Sequence, residues 1–134
     1  MKKKILITRK LLKENEDKLK ELFDVKLNIN DEIYTADKIL ELSKNCDGIL
    51  CAVTDQFNKE LINKLSPSIK IIANYAVGYG NIDVNAAKEK NIVVTNTPEV
   101  LDDSTADVSI LLLLGASRKV LEARRAAERQ DWKW

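Results

Sequence analysis

The residues best placed to do chemistry lie between Lys70 and Val84, in the stretch KIIANYAVGYGNIDV. An apolar run there ends in Gly78-Tyr79-Gly80-Asn81-Ile82-Asp83, just before a helical pattern. This is close to G-x-G-x-x-G, the loop that seats a pyrophosphate on a helix N-terminus. It fails two physical tests. Asp83 stands where the third glycine should let the helix pack against the strand, and its carboxylate would face the anion. The next strand ends Val93-Val94-Thr95-Asn96, with no acid to take a ribose hydroxyl. The dinucleotide reading is therefore rejected. Two readings stay open. The glycines relieve backbone strain in a tight strand-to-helix turn. Otherwise the backbone N–H groups around Ala76, Val77 and Gly78 hold a small anion, such as a carboxylate, at the carboxyl end of a parallel strand.

Composition removes other chemistries. The 134 residues include no histidine, so the commonest general acid/base is missing. Cys46 and Cys51 have no CxxC spacing and no histidine beside them. They read as buried thiols of a reducing compartment, and no metal site is expected. The net charge of +1 gives no reason to expect nucleic acid or an acidic membrane. The apolar segments after the N-terminal lysines and from Val108 to Ala116 are too short for a signal peptide or a membrane span. A cytoplasmic protein is expected.

The elements that must position the loop follow from periodicity. Lys4 to Thr8 reads as strand 1, and Leu11 to Leu22 as an amphipathic helix. Phe23 to Ile29 alternates like a strand with one wet face. Thr35 to Ser43 is a short helix, Ile49 to Val53 a strand, and Asn58 to Leu65 a helix stopped by Pro67. Ile69 to Ala73 is a strand, Asp83 caps a helix running to Lys90, and Ile92 to Thr95 is strand 5. Asp102 to Ser104 cap a long last helix reaching about Gln130. Five strand–helix alternations build a doubly wound α/β sheet, parallel and flavodoxin-like, with order 2-1-3-4-5 and strand 2 at an edge. Strands 3, 4 and 5 read as covered on both faces. One domain spans residues 1–134, with 102–130 as its long last helix.

The A-V-G-Y loop, I-D-V before a helix, N-T-P, and T-A-D opening a helix that ends in a Trp-rich segment form a specific combination. By them the chain resembles the N-terminal part of the D-isomer-specific 2-hydroxyacid dehydrogenases, most strongly from Lys70 to Trp134. The resemblance implies a flavodoxin-like substrate domain of roughly the first 100 residues. An NAD-binding Rossmann domain would follow, and a final helix would return to the first domain. It implies that Ala76, Val77 and Gly78 hold the substrate carboxylate, that Val53 and Thr54 line the same cleft, and that Thr105 approaches the nicotinamide. The bland alternatives are core for Val53, a strand terminus for Thr54 and a first-turn residue for Thr105. Many relatives carry an acid where this chain has Gly80, a change expected to loosen the loop. Arg9, Arg118, Arg124, Arg125 and Arg129 match no catalytic position. The family's catalytic arginine, acid and histidine fall outside this chain.

The implied reaction passes hydride between NAD or NADP and a small 2-oxo or 2-hydroxy acid. This chain, without the cofactor-binding domain, is expected to hold no cofactor tightly and to be inactive alone. Its last helix, apolar over Leu111 to Leu114, can fold back on its own sheet or exchange with a second copy; a symmetric homodimer is expected. A receiver-like module would need clustered carboxylates at strand ends, and Asp55 stands alone after strand 3. A flavodoxin proper would need a Ser/Thr/Gly-rich loop where Thr8-Arg9-Lys10-Leu11 stands. An excised or designed folding unit without a ligand is the remaining alternative.

Overall fold

Short β-branched runs alternate with capped helices to build one sheet. The computed structural model describes residues 1–129. Its strands are β1 (Lys4–Ile7), β2 (Asp24–Lys26), β3 (Gly48–Ala52), β4 (Ile71–Tyr75) and β5 (Val93–Thr95). All neighbours pair in parallel, in the expected order β2-β1-β3-β4-β5. Helices α1 (Lys13–Leu22), α2 (Ala36–Ser43), α3 (Lys59–Lys64) and α4 (Val84–Glu89) fill the crossovers. Three of them start on side-chain caps. Thr35 accepts from the Lys38 N–H, Asn58 from Leu61 and Asp83 from Ala86. Each such cap is worth about 1 kcal/mol.

Strand alternation sends Leu6, Ile49 and Ile72 to one face, where they join Ile39, Leu61, Ile62, Ala86 and Ala87 of α2, α3 and α4 in a buried core. Phe57, fully buried, joins the same core from the β3–α3 connection. The other face is less covered than the apolar reading of β3 to β5 predicts. Ile5, Leu50, Ile71 and Ala73 line an open groove of about 370 Å³ with Leu19 and Phe23, and Val93 is 57% exposed. Of the helices in this part of the chain, α1 stands on that face, and it packs along β2. At Gly48 the strands run close: a methyl group there would sit 2.7 Å from Cγ2 of Ile71.

The chain divides at Pro98 into two compact units. The second holds α5 (Asp102–Ser117) and α6 (Val120–Arg129). The long last helix expected from Asp102 is thus two helices, and its expected end near Gln130 lies outside the described residues. The break has a local cause. The Arg118 N–H and the Ser117 hydroxyl both donate to the Leu114 carbonyl, and Lys119 adopts a left-handed φ of 49°. The expected side-chain cap is also absent: Leu101 is the N-cap residue, and Asp102 and Asp103 act from the first turn through the helix dipole. Within α5, Leu111, Leu112, Leu113 and Leu114 are all exposed.

Candidate functional site

Strand pairing brings two of the three groups of expected site residues together. Ala52 lies opposite Tyr75 across β3 and β4, so Val53-Thr54 and Ala76-Val77-Gly78 leave the carboxyl edge side by side. Val53 is 60% exposed, which excludes a core role. Thr54 is exposed too, and its Oγ1 accepts from Nη1 of Arg9 at 2.8 Å. Ala76 and Val77 are half-buried and Gly78 is exposed. Thr105 belongs to the second unit. It lies in the first turn of α5, where its N–H donates to the Leu101 carbonyl.

The turn after β4 has three successive carbonyls tied to the rest of the unit. The Ala76 carbonyl accepts from the Thr97 N–H at 2.9 Å, the Val77 carbonyl from Nδ2 of Asn96 at 2.7 Å, and the Gly78 carbonyl from Nδ2 of Asn74 at 2.9 Å. No peptide bond is cis. In a trans peptide the N–H points opposite to the C=O. The N–H groups of Val77, Gly78 and Tyr79 therefore point away from these three anchors. Among the described residues, none of the three is used in a hydrogen bond within the protein. Successive free N–H groups of this kind suit an anion. Neither glycine of the turn has a positive φ, and a methyl group added at Gly78 or Gly80 would meet nothing within 4 Å. Strain relief therefore does not account for them.

Behind the turn lies a buried polar network that sequence reasoning missed. Nδ2 of Asn81 donates to the Ala52 carbonyl at 3.2 Å and the Asp55 carbonyl at 3.0 Å. Its Oδ1 accepts from Asn74 at 3.1 Å. Asp55 Oδ2 accepts from the Thr8 hydroxyl at 2.6 Å and the Ala52 N–H at 2.9 Å, while its buried Oδ1 has no partner. The Thr8–Asp55 bond spans the ends of β1 and β3, the switch point of this topology, while the asparagine bonds join the exit of β3 to the turn after β4. Asp55 is thus engaged rather than displayed for a metal, and no metal-binding cluster of His, Cys, Asp or Glu exists among the described residues. Arg9, dismissed from the sequence, forms a paired contact with Asp31 at 2.8 and 3.0 Å beside Thr54. That guanidinium, with the Lys10 N–H, holds the Asp31 carboxyl well below the usual carboxylate range. The available signal for the missed network was a polar residue, Asn74, inside an otherwise apolar strand run.

Cys51 lies against this network, with Sγ 3.5 Å from Asn74 Oδ1. Burial, then the Asp55 charge, pushes its thiol from the ordinary 9.0 up to about 12. The raised value favours the protonated folded state. Above pH 9 the unfolded thiol ionises and the folded one does not, so stability falls as pH rises from 9 towards 12. The expected loss between pH 9 and 10 is about 1 kcal/mol. Urea midpoints at the two pH values, compared with those of Cys51→Ala, check this: the variant should show a smaller fall.

Residues 5–128 match the family described as D-isomer specific 2-hydroxyacid dehydrogenase, catalytic domain. The chain belongs to that family. It is similar to a glyoxylate reductase of Korarchaeum cryptofilum, with 38% identity over 99% of this chain and 40% of the relative. A glycerate dehydrogenase of Hyphomicrobium methylovorum is 34% identical over 98% of this chain and 41% of its own length. Among solved structures, a glyoxylate reductase from Paecilomyes thermophila superposes with a TM-score of 0.81 at 28% identity, over 98% of this chain and 43% of that one. The chain thus spans about two-fifths of the length of these family members. No described helix is long and apolar enough to cross a membrane.

Proposed function

We propose that this chain is the substrate-holding part of a D-2-hydroxyacid dehydrogenase, and that the Val77, Gly78 and Tyr79 N–H groups bind the carboxylate of a small 2-oxo or 2-hydroxy acid. The observation that carries this reading is the run of three carbonyls tied back by Thr97, Asn96 and Asn74. Val53 and Thr54 line the same cleft, with the exposed Val53 side chain beside the acid's substituent. Tyr75 and Tyr79, each more than half exposed, flank the turn.

The described residues do not fit a dinucleotide at this turn. The N-terminus of α4, where a pyrophosphate would sit, is already taken by the carboxylate of Asp83. The nicotinamide cofactor of the full reaction, NAD or NADP, is therefore not assigned to this turn, and among the described residues Thr105 is the position taken to approach it. By the same reasoning the chain alone turns over no substrate, and steady NADH oxidation with glyoxylate by the pure chain would count against this. The binding test is a titration of 15N-labelled protein with glyoxylate. Shifts centred on the Val77, Gly78 and Tyr79 amides are expected; no shift, or shifts centred elsewhere, overturns the reading.

The second unit supports a homodimer, with exchange of α5 between copies as its route. A helix apolar on all sides needs cover on more than one side, and Leu111 to Leu114 are exposed in a row. Sedimentation at high micromolar protein should give twice the chain mass of 15.2 kDa. The double substitution Leu111→Glu, Leu114→Glu should return it to the single mass.

A further inference from the structure

We infer that Asn74 and Asn81 are positioning residues for the anion-binding turn, acting through the direction of one peptide. The inference rests on the carboxylate reading above and adds residues that do not touch the ligand. Both side chains are more than nine-tenths buried. A buried primary amide needs partners for two N–H donors and a carbonyl. Asn74 spends its donors on the Gly78 carbonyl at 2.9 Å and Asn81 Oδ1 at 3.1 Å. Asn81 spends its own on Ala52 and Asp55, at the exit of β3. The pair therefore links the turn after β4 to the turn after β3, which carries Val53 and Thr54.

The consequence is specific to one of the three free N–H groups. Asn74 pulls the Gly78 carbonyl inward, and peptide planarity then turns the Tyr79 N–H the other way. The neighbouring peptides are set independently: Asn96 holds the Val77 carbonyl, and the Thr97 N–H holds that of Ala76. Asn81 acts one step further back. Its Oδ1 orients the Asn74 amide, and its donors fix the distance between the two turns. Neither residue has a solvent-facing role that would explain a pair of amides in the interior beside the sheet edge.

The test is Asn74→Leu, which keeps the shape and removes the donors, studied in the intact chain by glyoxylate titration. The expected result is an affinity lower by about tenfold, as for loss of one charge-assisted hydrogen bond. The shift at the Tyr79 amide should vanish while that at Val77 persists. A purely structural role would weaken all three responses together or leave them all intact, and either result overturns the inference. If the wild-type protein shows no response at the turn, the carboxylate reading itself fails, which is a different outcome. If Asn74→Leu does not fold, the wild-type protein still decides. Its Asn74 and Asn81 side-chain amides should exchange with solvent at least about a hundredfold more slowly than a free amide, as tied, buried donors do. Fast exchange overturns the inference.

Discussion

Truncating Phe57 to alanine is expected to destabilise the sheet unit by about 3–5 kcal/mol. The ring is fully buried and packs among Leu61, Ile62 and Ile82 in the core. Its backbone also joins the two turns of the candidate site. The Phe57 N–H donates to the Asn81 carbonyl and its carbonyl accepts from the Asp83 N–H, both at 2.8 Å, in a parallel bridge to Ile82. The substitution keeps those bonds and removes the ring, so the loss is one of burial and cavity formation. Set against a typical total of 5–15 kcal/mol, it leaves a marginal protein. Urea unfolding followed by circular dichroism should show a midpoint lower by roughly 2 M with an unchanged slope. The same truncation at Ile33, 70% exposed, should stay within about 0.5 kcal/mol. A loss below 1 kcal/mol at Phe57 would mean that the core here collapses around the gap.

Replacing Gly78 by valine should reduce carboxylate affinity by about ten- to a hundredfold, or roughly 1.4–2.8 kcal/mol, while leaving the fold as stable as before or slightly more so. The two effects separate because of what surrounds the residue. Its φ is not positive, and an added Cβ meets no atom within 4 Å, so the folded backbone accepts a side chain without strain. The unfolded chain loses freedom, which stabilises by about 0.4–1 kcal/mol when glycine becomes alanine at a compatible site. The new isopropyl group, however, stands beside the N–H groups that an anion must approach. A glycine with no conformational or packing reason inside the protein is best explained by something arriving from outside. Thermal melts and the glyoxylate titration read the two effects on one sample. Unchanged affinity would show that the space above Gly78 is not where the acid sits.

The sheet was legible because its information is local and repetitive. Apolar runs such as Ile49 to Val53, separated by crossovers long enough for a helix, permit few topologies, and the parallel order follows. Asp83 was readable as a cap because a short acceptor before a helical pattern has one obvious use, and the same acid excluded the dinucleotide loop. The candidate site was placed by the general rule that such sheets bind ligands at their strand ends. What stayed hidden depends on distance in the chain. Asn74, Asn81 and Asn96 look like ordinary strand-end and turn residues, and their use appears only when the fold brings 74 beside 78 and 81, and 96 beside 77. Arg9 was discounted because nothing near it in the chain reveals Thr54 and Asp31. The break between α5 and α6 was missed because Ser117, Arg118 and Lys119 are all acceptable helix residues.

The three tied-back carbonyls have a kinetic consequence. Ordering a backbone residue takes about 1–2 kcal/mol of conformational free energy, and here that ordering is complete when the chain has folded. On the proposed carboxylate reading, the acid meets a turn already tied in place, so association should involve no slow rearrangement and should follow diffusion. Binding should then show a single fast phase on mixing.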